Sequence, residues 1–257
     1  MEIKVFESPE MLGKAAAKFC EEVLNKAIAE NGYARIVLST GESQFETIKN
    51  LTLADVDWSK VEMFHLDEYV DLPESHPASF RKYLKERFIN KVNLKGAYLV
   101  DGEGDYEAKN ELLSQKLLEK PVDLGVIGIG QNAHLAFNDP PADFETEKPY
   151  IVVKLSDTCK NQQVSEGWFA SSAEVPELAV SMSVRRIMKC KVILSCVPSK
   201  VKAEAIKNTL ENEVTNLIPA TMLKTHPDTH LYLDLDSASL LGDEFIEEHL
   251  AEQLTAK

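Results

Sequence analysis

Three stretches carry residues whose types and spacing could do chemistry. GIGQNAHLAFNDP (128–140) places His134 behind the permissive backbone of Gly128 and Gly130, with Asn132, Asn138 and Asp139 close by. An imidazole beside a carboxylate suits a general acid/base whose tautomer is fixed by its neighbour. FHLDEYVDLPESHPASF (64–80) sets Asp67 and Glu68 directly after an apolar run. A carboxylate there is costly to desolvate, and that desolvation raises its pKa toward that of a useful base. LSTGESQFETI (38–48) offers Ser39, Thr40, Gly41 and Ser43 where a strand would turn into a helix. Hydroxyls, a glycine and the free N–H groups of a helix start make a cradle for a phosphate monoester. The stretch is not GxxxxGK[ST], which argues against a nucleoside triphosphate.

Each stretch also has a bland reading. The first begins like a dinucleotide-binding turn, but it lies near mid-chain, and Pro140 and Pro141 stop any helix that follows. The second reads alone as a solvated acidic turn and the third as a capped strand–helix turn. His65 alternates with apolar neighbours, as a hydrogen-bonded strand histidine would, and His76 reads as a loop residue. Lys200 and Lys202, in VPSKVKAEAIK, sit at a strand–helix junction where an ammonium could reach an anion, although surface lysines are far commoner than ligand lysines.

Position decides between these readings. Apolar runs at 3–6, 34–39, 61–66, 97–100, 122–129, 150–155, 191–197 and 230–235 read as strands. Between them lie amphipathic stretches at 8–31, from Gln44, at 78–88, 106–120, 202–212 and 243–257. Ser8 is the N-cap of the first of these, Pro9 follows it, and Gly32 ends it. Such β-α alternation without repeats or a linker predicts one domain over 1–257: an α/β, three-layer, Rossmann-like fold with a mainly parallel sheet. Ligands of such sheets bind at the carboxyl ends of the strands, and all three stretches fall there.

Bulk properties narrow the partners. A net charge of −14 disfavours nucleic acid and anionic lipid, so an anionic small molecule must be held locally against the mean field. No apolar run reaches about 18 residues, and the start lacks the pattern of a signal peptide, so a cytoplasmic location is expected. Cys20, Cys159, Cys190 and Cys196 show no CxxC spacing and read as reduced thiols, mostly buried, with Cys159 in a polar context.

Together the three stretches resemble the glucosamine-6-phosphate deaminases, within the wider group that includes the 6-phosphogluconolactonases. STGESQFETI is similar to that family's phosphate loop, LDEYVDLPESHPASF to its Asp-Glu segment and GIGQNAHLAFNDP to its GxGxxGHxxFNEP loop. The order is the same, and the likeness runs over nearly the whole chain. Lactonases typically continue with Asp-Glu-Arg and a GHTASLFP-like run. Here Asp67-Glu68-Tyr69 and the run from His134 to Asp139 look like the deaminases instead.

The resemblance implies a Rossmann-like fold and a set of roles. His134 would open the pyranose ring, and Asp67 would carry a proton from C2 to C1 through an enolamine. Asp139 would orient His134, Asn132 would line the same turn, and Glu68 would position the base and the sugar hydroxyls. Ser39, Thr40, Gly41 and Ser43 would hold the phosphate with Lys202. Proton transfers alone suffice, so neither metal nor organic cofactor is implied.

The chain departs from the family pattern at several positions. Ala133 stands where a glycine is usual, Asp139 where a glutamate is usual, and the family's phosphate-binding arginine has no counterpart in CKNQQVSEGWF. Lys160 precedes that place, and Gln162, Gln163 and Val164 occupy it. A galactosamine-6-phosphate isomerase, a 6-phosphogluconolactonase and a sugar-phosphate binder without turnover are the competing readings. Both a monomer and a homo-oligomer remain open.

Overall fold

A computed structural model describes residues 1–251. Ten strands form: β1 (Glu2–Phe6), β2 (Ala34–Leu38), β3 (Val61–His65), β4 (Asp67–Tyr69), β5 (Gly96–Tyr98), β6 (Leu124–Ile127), β7 (Tyr150–Lys154), β8 (Leu178–Met182), β9 (Val192–Val197) and β10 (Thr229–Asp234). The α-helices are α1 (Pro9–Asn31), α2 (Phe45–Leu51), α3 (Phe80–Arg87), α4 (Tyr106–Leu118), α5 (Asp157–Ser165), α6 (Val184–Ile187), α7 (Ala203–Glu211), α8 (Leu235–Ala238) and α9 (Asp243–His249).

Seven strands build one sheet in the order β1-β10-β9-β6-β2-β3-β5, and every pairing in it is parallel. Buried strand residues divide between its two faces, as a period of two requires. Ile36, Leu38, Met63, Val126 and Leu194 pack with Leu12, Ala16, Leu24, Ile48 and Leu84 of α1–α3. Val37, Phe64, Ile127, Ile193 and Leu233 pack on the opposite side with Leu113 and Leu117 of α4 and Ile206 of α7. The three-layer expectation therefore holds. From β2 the chain adds β3 and β5 on one side, whereas β6, β9 and β10 lie on the other, so the order reverses between β2 and β6. A crevice opens outside the sheet at such a reversal.

Local chemistry fixes the element ends. Ser8 caps α1 by accepting from the Met11 N–H at 3.3 Å, and Gly32 closes it at φ +77°. Arg35, fully buried, points out of β2 into the C-terminal turn of α4. There it donates to the carbonyls of Lys116, Leu117 and Lys120, and its Nε pairs with Glu62 at 2.9 Å. A cation on free helix carbonyls satisfies both partners.

Several expectations require correction. The run at 150–155 does not join the main sheet. As β7 it pairs antiparallel with β8, which in turn pairs antiparallel with β4, forming a separate three-stranded sheet. Both β8 and α5 escape the sequence pattern, because each is short and α5 carries few apolar residues. The final helix ends at His249, and the rest of the expected stretch, residues 252–257, lies outside the described residues. His65 is not a hydrogen-bonded strand histidine. It is fully buried with both ring nitrogens unpartnered among the described residues, and burial, with Arg81 adding to it, lowers its pKa to about 3. Cys159 is buried despite its polar sequence context, and all four cysteines are free.

Candidate active site

Four adjacent strands deliver the site. Ser39 to Ser43 follow β2, Asp67 follows β3, Gly128 to His134 follow β6, and Lys202 follows β9. Ser39 to Ser43, Asp67, Gly128 to Gly130, His134 and Lys202 line one cavity, together with Leu66, Phe80, Phe137, Gln162, Gln163 and Glu166.

The histidine loop is built around its imidazole. His134 Nδ1 lies 2.6 Å from Asn132 Oδ1 and 3.1 Å from Asp139 Oδ1. Two acceptors at one ring nitrogen keep the proton on Nδ1 and leave Nε2 with a lone pair. Asp139 is itself fixed by the Asn132 amide at 2.9 Å and the Ser156 N–H at 3.1 Å. Burial alone would raise its pKa, but the hydrogen bonds from His134, Asn132 and Ser156 outweigh that and hold it well below the ordinary carboxylate range. The ring packs so closely on Gly130 that a Cβ there would lie 2.2 Å from Cε1 and Nε2, so glycine is obligatory. Ala133 sits at φ +63°, the left-handed region in which a glycine would be unstrained. No helix follows this loop, in contrast to a dinucleotide-binding turn.

Asp67 and Glu68 part company in space. Asp67 lines the cavity, is 6 % exposed, and its carboxyl makes no hydrogen bond or ion pair among the described residues. Burial, with the Glu68 carboxylate adding to it, pushes its pKa well above the ordinary range. Glu68 lies outside the cavity lining, on the side of Asp67 away from it. Its carboxylate turns to the start of α3 and accepts from Ser79 Oγ at 2.9 Å, the N–H groups of Tyr69, Phe80 and Arg81, and Arg81 Nε at 3.2 Å. Glu68 anchors the segment that presents Asp67.

The loop after β2 is pinned at its middle and at its far end. Tyr83 OH donates to the Gly41 carbonyl at 3.1 Å, and Gln44 Nε2 bridges Ser43 Oγ and the Cys196 carbonyl at 3.1 and 3.0 Å. The backbone N–H groups of Thr40, Gly41, Glu42 and Ser43 have no partner among the described residues, and Gly41 adopts φ +97°. Ser39 Oγ is likewise unpartnered. Lys202 is 5 % exposed and its ammonium is unpaired among the described residues; burial pulls its pKa below the ordinary lysine range, opposed by Glu166. The Ser199 N–H on the Asp234 carboxylate, at 3.1 and 3.0 Å, fixes the turn that delivers it. Lys200 is exposed and outside the cavity lining, and Lys160 is buried in an ion pair with Glu177. The sequence pattern missed the contribution of Gln162, Gln163 and Glu166, because nothing in a short polar helix marks which residues face a cavity.

An α/β protein that sets a tautomer-fixed imidazole and an unpaired buried carboxyl over an amide-and-ammonium cradle has the parts for proton transfer on a small anion. The chain belongs to the family described as glucosamine-6-phosphate isomerases/6-phosphogluconolactonase, which it matches over residues 7–232. It is 35% identical over 225 residues to a glucosamine-6-phosphate deaminase of Streptococcus pneumoniae, covering 87% of this chain and 94% of that one. It is 32% identical over 256 residues to one of Thermoanaerobacter pseudethanolicus, covering 96% and 98%. Among solved structures, a monomeric glucosamine-6-phosphate deaminase superposes with a TM-score of 0.85 at 27% identity, covering 93% of this chain and all of that one. A 6-phosphogluconolactonase from Thermotoga maritima shares the fold, with a TM-score of 0.75 at 15% identity over 91% of this chain and 99% of that one.

Proposed function

We propose that this protein, working as a single catalytic domain in the cytoplasm, converts glucosamine 6-phosphate to fructose 6-phosphate and ammonia. The observation that carries the reading is the shared cavity. Asp67 and His134, distant in sequence, line it together with Ser39, Thr40, Gly41, Ser43 and Lys202. His134 Nε2 opens the pyranose by taking the anomeric hydroxyl proton and returning it to the ring oxygen. Asp67 then removes the C2 proton of the open chain. The electrons move into a C1–C2 enolamine as the substrate ammonium gives up a proton and O1 takes one, and Asp67, its proton exchanging with water between the two steps, protonates C1 to leave an imine at C2. Water adds to the imine carbon and ammonia departs, which is the hydrolytic half of the reaction. A base whose charged form is disfavoured by burial is a stronger proton acceptor, and the cationic amine of the substrate restores its ionisation on binding.

Asn132 and Asp139 act through His134 by fixing its tautomer, and Glu68 acts through Asp67 by anchoring its segment. The identity of 32% to 35% with deaminases and the run Asp67-Glu68-Tyr69 support this reading over lactone hydrolysis. The test is ammonia release from glucosamine 6-phosphate and galactosamine 6-phosphate, run beside hydrolysis of 6-phosphogluconolactone. Ammonia from the glucosamine ester at the highest kcat/KM is expected. Lactone hydrolysis without ammonia would replace this reading with the lactonase one.

A further inference from the structure

The cavity end around Lys202 carries more negative than positive groups. Glu42 and Glu166 line it with that single ammonium, and each carboxylate acts electrostatically on the other and on Lys202. Glu166 is held in place by Gln162 Nε2 at 2.7 Å and Trp168 Nε1 at 3.3 Å, one bond to each oxygen, which leaves acceptor capacity on both. Gln163, 5 % exposed, has its Oε1 taken by the Tyr69 hydroxyl at 2.6 Å. Its Nε2 has no partner among the described residues, and the residue lines the cavity. The end therefore presents donors (Lys202, Gln163, the free amides from Thr40 to Ser43) beside two acceptor-only carboxylates. A dianionic phosphate accepts hydrogen bonds and donates none, so it meets both carboxylates as like charges. A monoanionic phosphate keeps one P–OH and matches the mixture.

We propose that Glu42, Gln163 and Glu166 form, with Lys202, a charge-compensated subsite that selects the singly protonated form of a phosphate monoester. Lys202 and Gln163 donate to its oxygens, and Glu166 accepts from its P–OH. This rests on the sugar-phosphate reading above and deepens it. The second pKa of a phosphate monoester lies near 6, so both forms exist close to neutrality.

The probe is glucitol 6-phosphate, which has neither amine nor carbonyl and cannot turn over. Its binding to the full chain is measured by calorimetry at about pH 5.5 and about pH 8. Asp67, His134 and Lys202 also line the cavity, and the buried Cys159 acts electrostatically on Lys202, but they are shared by wild type and variants, so the comparison between proteins is the readout. Wild-type affinity is expected to fall roughly tenfold or more toward the higher pH. Glu166→Gln and Glu42→Gln are each expected to tighten binding at about pH 8 by roughly three- to tenfold, with a smaller change at about pH 5.5. Wild-type affinity independent of pH, or a Glu166→Gln variant that binds no tighter at the higher pH, would overturn the subsite. Thermal unfolding of each variant confirms that the fold is kept. The readout is binding, so absence of ammonia release would strike the function above and leave this result interpretable. Ammonia release with pH-independent binding would strike the subsite alone.

Discussion

The Asp67 carboxyl is 6 % exposed and unpartnered among the described residues, whereas the adjacent Glu68 collects bonds from Ser79, Arg81, Tyr69 and Phe80. Two neighbouring acids thus differ in setting, one buried without a partner and the other bonded to the start of α3. A group whose folded pKa lies above its unfolded value gives stability that is full below the unfolded pKa and is lost as pH rises through the folded one. Asp67 is raised, so its ionisation destabilises the fold on the alkaline side. Asp67→Asn, neutral at every pH, is therefore expected to melt higher than wild type at pH 8 and equally near pH 3. Each kcal/mol relieved is worth roughly 2–4 °C in a chain of this size. Differential scanning fluorimetry across pH checks this, and a lower melting point at pH 8 would contradict it. Ala133 stores strain of a second kind. At φ +63° an alanine is disfavoured by about 1–2 kcal/mol, so Ala133→Gly is expected to raise the urea midpoint, offset in part by unfolded-state entropy.

At the scale of elements, the central strands reach their positions through buried polar contacts as well as apolar faces. Arg35 joins β2 to β3 through Glu62 and to the end of α4 through the carbonyls of Lys116 and Leu117 and that of Lys120 just beyond it. Arg35→Ala would strand the Glu62 carboxylate, itself 7 % exposed, and is expected to cost about 3–5 kcal/mol in chemical denaturation. The elements the sequence made legible are those with long patterns. The 23 residues of α1, with a serine cap and a glycine stop, and the continuous apolar runs of β2, β6, β9 and β10 read directly. What escaped was tertiary in origin. The antiparallel sheet of β4, β7 and β8 is defined by pairing between segments far apart in the chain, which no local period encodes. The site divides the same way. His134, Asp139 and Asp67 were legible because their residue types follow strand ends, but the turning of Glu68 into α3 and of Gln163 into the cavity depends on packing.

For the molecule as a whole, a net charge of −14 surrounds a cavity whose one unpaired cation among the described residues is Lys202. An anionic sugar phosphate approaches through a repulsive field that salt screens over about 10 Å at 0.1 M. Its association rate constant, measured by stopped flow, is accordingly expected to rise as ionic strength goes from about 0.01 to about 0.15 M. A fall would mean that local attraction to Lys202 dominates the approach. None of the helices among the described residues is long and apolar enough to cross a membrane.

Removal of the C2 proton by the Asp67 carboxylate is the step on which the proposed reaction turns, and isotope exchange reads it without waiting for ammonia. Glucosamine 6-phosphate incubated with the protein in deuterium oxide should gain deuterium at C2 by proton NMR. Asp67→Asn should still bind the sugar phosphate yet lose that exchange by about a hundredfold or more, as expected for removal of a general base. Exchange at the wild-type rate in the variant would contradict the assignment of the base and the mechanism built on it.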